Sequence, residues 1–247
     1  MNAHAPLAGV VVLDCSRLYP GPYATQILAD LGARIIKIEE PGAGDYLRHM
    51  PPMAGETSAM FLALNRGKES VALDLRSVEG VSTFKRLVKD AHVVVESFRP
   101  GVMDRLKVGF DALKDVNPSI IVCAISGYGQ TGPDALKAGH DLNYLARAGV
   151  LGYAGTPSPL PVQVADVAGG SLWAVIQILA ALRRRDATGE GAFIDVSMTD
   201  GAWAMLSMTL AGSLAGGQRM KPGGDLLNGG VACYRVYTCL LYTSDAA

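Results

Sequence analysis

The sequence predicts an α/β fold in which a mostly parallel sheet is covered by helices. Two patterns and the composition predict it. Short β-branched runs alternate with helical patterns, and strand–helix–strand units of that kind build parallel sheets. Several runs are apolar at consecutive positions (Val10, Val11, Val12; Val93, Val94, Val95), as strands covered on both faces must be. Hydrophobic residues make up 49% and charged residues 18% of the 247, which suits a compact chain and argues against disorder.

Strands are expected over 10–14, 34–39, 70–74, 92–96, 120–126 and 192–197. Helices are expected over 23–31, 78–89, 167–184 and 199–215, with Ser77 as N-cap of the second, and a shorter one over 141–148. Between 216 and 230 the chain turns glycine-rich (Gly216, Gly217, Pro222, Gly223, Gly224, Gly229, Gly230), which reads as a linker leaving a domain that spans 1–215. The remainder forms no recognisable element, so truncation within 216–247 is expected. The run CLLYTSDAA resembles a translated sequencing-adapter read-through, which would make 239–247 foreign to the fold.

The net charge of −1 provides no field that would recruit nucleic acid or an anionic membrane. The start carries no secretory signal pattern, and the most apolar helix stretch, 172–182, falls short of the ~20 residues of a membrane span. Cys15, Cys123, Cys233 and Cys239 show neither a CxxC pair nor zinc-type spacing. Cys15 and Cys123 sit in apolar strand-like runs and read as small buried hydrophobes, which fits a reduced, cytoplasmic setting.

Four features could carry chemistry. Gly127, Gly129 and Gly132 spell GxGxxG after a strand, but Pro133 follows where a helix should open, so a loop over a ligand serves equally. Residues 61–110 hold nine Lys/Arg against six Asp/Glu. Within them Arg66 and Lys68 precede a strand, and Arg76 and Arg99 follow two strands, with Arg105 close behind. Carboxyl ends of parallel strands share one edge, where such guanidinium groups either grip phosphates or are simply solvated. His140 opens a short helix beside Asp141, either as a structural residue or as a base whose neutral form the helix dipole favours. Asp166 interrupts an apolar stretch, as the N-cap of the helix over 167–184 or as a functional acid.

The segments PLAGVVVLDCSRLYPGPYATQILADLGARIIKIEEPGAGD, NRGKESVALDL, ESFRPGVMDRLKVGFDALKDVNPSIIVCAISGYGQTGP and TGEGAFIDVSMTDGAW occur in an order that resembles the class III CoA-transferases and α-methylacyl-CoA racemases. The resemblance extends over nearly all of 6–237. It implies a large Rossmann-like domain, a small domain beyond the linker that is missing here, and two full-length chains interlocked as a homodimer. GHDLNY followed by VQVADVAGG is similar to the racemase branch, whose acid/base pair then falls on His140 and Asp166. The same resemblance assigns contacts with an acyl-CoA thioester to Leu73, Asp74, Leu75 and Arg76, and to Gly139, Asp141, Leu142, Asn143 and Tyr144. No cofactor is implied beyond the CoA of the substrate. Glu40 stands where several relatives carry a basic CoA contact, and a glutamate thought to pair with the histidine would lie in the missing small domain.

Racemisation next to a thioester needs two acid/base groups on opposite faces and donors for the developing enolate oxygen. The backbone N–H groups of Asp166 or its neighbours are the expected donors. A transferase would instead use Asp166 as nucleophile, and a CoA-binding subunit would do neither. His140 favours the racemase over the transferase.

Overall fold

The computed structural model describes residues 4–155 and 158–237, so the expectation for 239–247 lies outside the described residues. In chain order the elements are β1 (Val11–Asp14), α1 (Pro20–Asp30), β2 (Arg34–Glu39), a 3-10 turn (Tyr46–His49), β3 (Met53–Ala54), β4 (Thr57–Ser58), α2 (Ala59–Asn65), β5 (Glu69–Ala72), α3 (Val78–Asp90) and β6 (Val93–Glu96). There follow α4 (Val102–Arg105), α5 (Phe110–Lys114), β7 (Ile121–Ser126), α6 (Asp141–Arg147), α7 (Val150–Tyr153), a π-helical segment (Ala165–Leu172), α8 (Trp173–Thr188), β8 (Ala192–Ser197), α9 (Met198–Ala204) and α10 (Ser207–Gly216).

Six strands form one sheet in the order β5-β2-β1-β6-β7-β8, every pair parallel. Counting only these strands, the order is 3-2-1-4-5-6, a Rossmann-like arrangement whose direction of growth reverses between β1 and β6. All four residues of β6 and all six of β7 are buried, the two-sided covering that their continuous apolar runs require. One face packs under α1, α6 and α8 through Ala24, Leu28, Leu145, Ala174 and Ile178; the other packs under α3 and α5 through Phe84, Val88 and Leu113.

The six expected strands are present within two residues of their expected ends. Helix α1 begins three residues early because Pro20 occupies its first position, where a fixed φ costs nothing and no N–H is needed. The helix expected over 167–184 starts at Ala165 in π geometry and runs through Thr188. At 24 residues it is long and apolar enough, by length and composition, to cross a membrane. Here it lies against the sheet, with Ala165, Ala174, Val175, Ile178 and Leu182 in the core. The stretch 199–215 is two helices, α9 and α10, rather than one. Among the described residues, 217–237 contain no helix or strand; Gly223 N–H and Asn228 Nδ2 both reach back to Tyr153 O, at 3.3 and 3.1 Å.

Two buried ion pairs sit at the carboxyl end of β1. Lys68 Nζ lies 3.1 Å from Asp14 Oδ2 and also donates to Pro22 O, Thr25 Oγ1 and Asn65 Oδ1 at 2.7–2.9 Å. Lys37 Nζ lies 3.1 Å from Asp45 Oδ2 and donates to Ser16 O at 2.9 Å. Asp14 accepts in addition from the Ser16 N–H and hydroxyl and from Thr25 Oγ1. Burial alone raises the Asp14 carboxyl, but Lys68, then Lys37 and the two hydroxyls, outweigh it and hold the group at about 2. Because that is below the ordinary carboxylate value, the stabilisation is complete above about pH 4 and is lost as pH falls through about 2. Lys68→Met leaves Asp14 charged and unpaired, so it should cost about 3–5 kcal/mol in urea unfolding at pH 7. Asp14→Asn in the same chain should recover part of that loss; an unchanged midpoint for Lys68→Met alone would contradict this account.

Candidate active site

A cleft of about 1120 Å³ opens over the carboxyl ends of the strands at the reversal point. Its walls come from the loop after β1 (Arg17, Tyr19) and the first residue of α1 (Pro20), the loop after β6 (Ser97, Phe98, Arg99), the end of β7 and the residue after it (Ser126, Gly127), and then Lys137, His140, Asn143, Tyr144, Asp166 and Met198. Leu18, between two of these residues, has φ 62°, a strained value for a side chain with a Cβ.

The loop over 127–139 is shaped by one aromatic ring. A Cβ on Gly127 or Gly139 would collide with Tyr144, so the two glycines let the ring stack between backbone segments. Tyr144 Oη donates to Gly139 O at 2.5 Å, and its ring meets Tyr128 edge-on at 5.2 Å. Gly129 and Gly132 take φ of 84° and 94° in turns, and no helix opens after the third glycine. The GxGxxG pattern follows the fifth strand of the sheet rather than the first, so it lacks the geometry of a dinucleotide fingerprint.

His140 holds the N-cap position of α6 and is exposed to the cleft, its backbone N–H donating to Asn143 Oδ1 at 2.9 Å. Asp141 is buried beneath it and accepts the Asp166 N–H at 3.0 Å. That bond fastens the start of α6 to the start of the π-helical segment. The segment can pack this closely because Gly169 faces Gly201 of α9 backbone to backbone, leaving no room for a Cβ on either. Ser171 Oγ then lies within bonding distance of both Pro20 O (2.7 Å) and Asp166 O (3.1 Å).

Asp166 is half-buried and its carboxyl makes no hydrogen bond or ion pair among the described residues. Burial, then the Asp141 carboxylate, raise it to about 6, with His140 pulling the other way. Two expectations are corrected here. Asp166 does not cap a helix, because the helix begins ahead of it with Val164 in the cap position. Nor are its neighbouring amides free to receive an oxyanion: the Asp166 N–H goes to Asp141, and the Val167 N–H to Gln163 O at 2.9 Å.

Of the other candidates, Gly139, Asn143, Tyr144 and Arg99 line the cleft. Leu142 is exposed outside it, as is Arg105 on α4. Leu73 and Leu75 pack against the core, while Arg76 pairs with Asp74 (3.0 Å) and Glu40 (2.6 Å). Arg76 and Arg99 do share the sheet edge, but three strand spacings, about 14 Å, separate their strands. Arg66 pairs with Asp30 and Lys68 is buried, so two of the five residues of the basic cluster are taken up within the fold. Arg17 was missed although it follows β1 as Arg99 follows β6; it lies over the Phe98 ring at 5.5 Å and 3.8 Å from Glu40. Tyr19 carried no sequence signal. Among the described residues no three His, Cys, Asp or Glu side chains converge as a metal site.

A family model described as CoA-transferase family III matches residues 7–240. The chain is 42% identical to an acetyl-CoA:oxalate CoA-transferase of Acetobacter aceti over 83% of its length, and 38% identical to the human succinyl-CoA:glutarate CoA-transferase over 96%. It is 36% identical to the human alpha-methylacyl-CoA racemase over 94%. It spans 54%, 55% and 58% of these relatives' own lengths. A solved structure of a CAIB/BAIF family protein from Brucella suis superposes with a TM-score of 0.83 at 36% identity, covering 90% of this chain and 61% of that one.

If Asp141 helps raise the Asp166 carboxyl, Asp141→Asn should bring it down from about 6 toward the ordinary range, because the amide oxygen still accepts the Asp166 N–H while the charge is gone. Carboxyl-carbon NMR titration of Asp166 in the two proteins measures this, and an unmoved midpoint would leave burial as the sole cause.

Proposed function

The chain belongs to CoA-transferase family III, and on that premise we propose that it is the large, CoA-binding domain of an α-methylacyl-CoA racemase. In this reading residues 1–215 form the domain, the segment from 216 leads to a small domain, and the full-length enzyme is a homodimer. The observation that carries the reading is the joint presence of His140 and Asp166 on one cleft, with the Asp166 carboxyl unpaired among the described residues and raised to about 6 by burial and by Asp141. An acid/base catalyst is most effective in that range, since it must both take and return a proton.

Racemisation proceeds when one group removes the α-proton of a 2-methylacyl-CoA and the other returns a proton to the opposite face. The C–H electron pair moves toward the thioester oxygen and back. The two working forms, Asp166 ionised with His140 charged and Asp166 protonated with His140 neutral, hold the same number of protons. The pH profile of kcat/KM is therefore the same for both epimers.

A second reading has its own support. The relatives include CoA-transferases at identities at least as high as those of the racemase, so Asp166 is also a candidate nucleophile that attacks the thioester carbonyl, breaks its C–S bond to release the CoA thiolate, and forms an anhydride with the acyl group. The two readings part in D₂O. As a racemase, the full-length enzyme incorporates α-deuterium while interconverting epimers without any carboxylate acceptor, and both His140→Ala and Asp166→Asn abolish racemisation. As a transferase, it moves CoA to an added carboxylate, Asp166→Asn is severe and His140→Ala is mild.

For the nucleotide, Arg99→Ala should weaken CoA binding by about 1.5–3 kcal/mol, the worth of a charge-assisted contact. Arg76→Ala should cost less, because Arg76 already spends its guanidinium on Glu40 and Asp74. Isothermal titration of both variants ranks them; equal and negligible losses would reduce the pair to surface charge.

A further inference from the structure

Any reaction at a thioester held beside Asp166 builds negative charge on the carbonyl oxygen, whether enolate or tetrahedral oxyanion, and needs a donor there. The start of the π-helical segment cannot supply it, since the Asp166 and Val167 amides are already bonded. Tyr144 is also spent, its hydroxyl committed to Gly139 O. We propose that the phenol of Tyr19 is the donor that receives this oxygen.

Tyr19 lines the same cleft as Asp166 and His140, and its hydroxyl makes no hydrogen bond among the described residues. Its place relative to Asp166 is fixed one residue away: the Ser171 hydroxyl bridges Pro20 O and Asp166 O. Tyr19 also sits at the N-cap of α1 without a side-chain capping bond, and its ring packs against the Tyr23 ring with centroids 5.9 Å apart, so the ring is placed by packing rather than by a polar contact of its own. Burial raises the phenol above its ordinary range, and the nearby Tyr23 and Asp166 add to that, so it keeps its proton at neutral pH.

The inference rests on Asp166 being the reacting group, as in the proposed function, but not on which of the two reactions it serves. In the racemase, the α-proton goes to the base, the C–H pair forms the C=C bond, and the thioester oxygen becomes the enolate that accepts the Tyr19 hydrogen bond. Tyr19 keeps its proton throughout, and reprotonation of carbon reverses the shift.

The test compares the full-length enzyme with Tyr19→Phe, which removes only the hydroxyl. Whichever reaction the wild type performs identifies the activity; the ratio of variant to wild type in that reaction tests Tyr19. We expect kcat to fall about 10²–10³-fold while CoA affinity and thermal midpoint stay unchanged. A readout free of turnover is the binding of acetoacetyl-CoA, whose enolate has its own ultraviolet absorption. The wild type should enrich that enolate, and Tyr19→Phe should lose about tenfold or more of the enrichment. A variant that keeps both kcat and the enolate band overturns the proposal, as does one whose CoA affinity falls as much as its turnover, which would make Tyr19 a packing residue.

Discussion

The Asp14–Lys68 ion pair governs the geometry of everything above it. A carboxylate at the end of a central strand, wholly out of water, is tolerable only with a cation and hydroxyls around it. Those partners come from α1, from the end of α2 and from the residue leading into β5, so satisfying one charge draws four elements together. From there the links continue outward. The loop after β1 leads to Pro20, Ser171 ties Pro20 to Asp166, and Asp141 ties Asp166 to the helix that His140 begins. The acidic and imidazole groups of the cleft thus stand at the far end of a chain of short polar contacts rooted in the core.

Much of this architecture could be read from the residues. Strands buried on both faces leave continuous β-branched runs, and β6 and β7 were visible for that reason. The short β3–β4 hairpin was not, because two residues per strand are too few to show a period. Lys68 looked like part of a basic surface; only the packing of α1 against the residues before β5 makes it interior. Arg76 likewise looked free, and its capture by Glu40 depends on β2 and β5 being neighbours, which a run of charges does not encode. The pairing of His140 with Asp166 across 26 positions came from resemblance alone. Their local patterns suggested a structural histidine and a helix cap as readily as chemistry.

The same distinction separates what the family match carries from what it leaves open. Membership follows from similarity along nearly the whole chain, and the fold follows with it. The reaction does not, because relatives bearing both kinds of name resemble the chain to comparable degrees.

The π-helical segment has a consequence for how this site can change over time. A π turn holds about one residue more than an α turn, and each residue of a regular helix turns the chain by about 100°. Deleting a single residue between 167 and 170 would close the π turn into an α turn, and would take Gly169 out of the backbone contact with Gly201 that lets the segment pack beneath the cleft. Substitutions can be tried at these positions one at a time, but the length of the segment cannot drift. Insertions and deletions in descendants of this chain should therefore collect in the loops around it and stop at its boundaries.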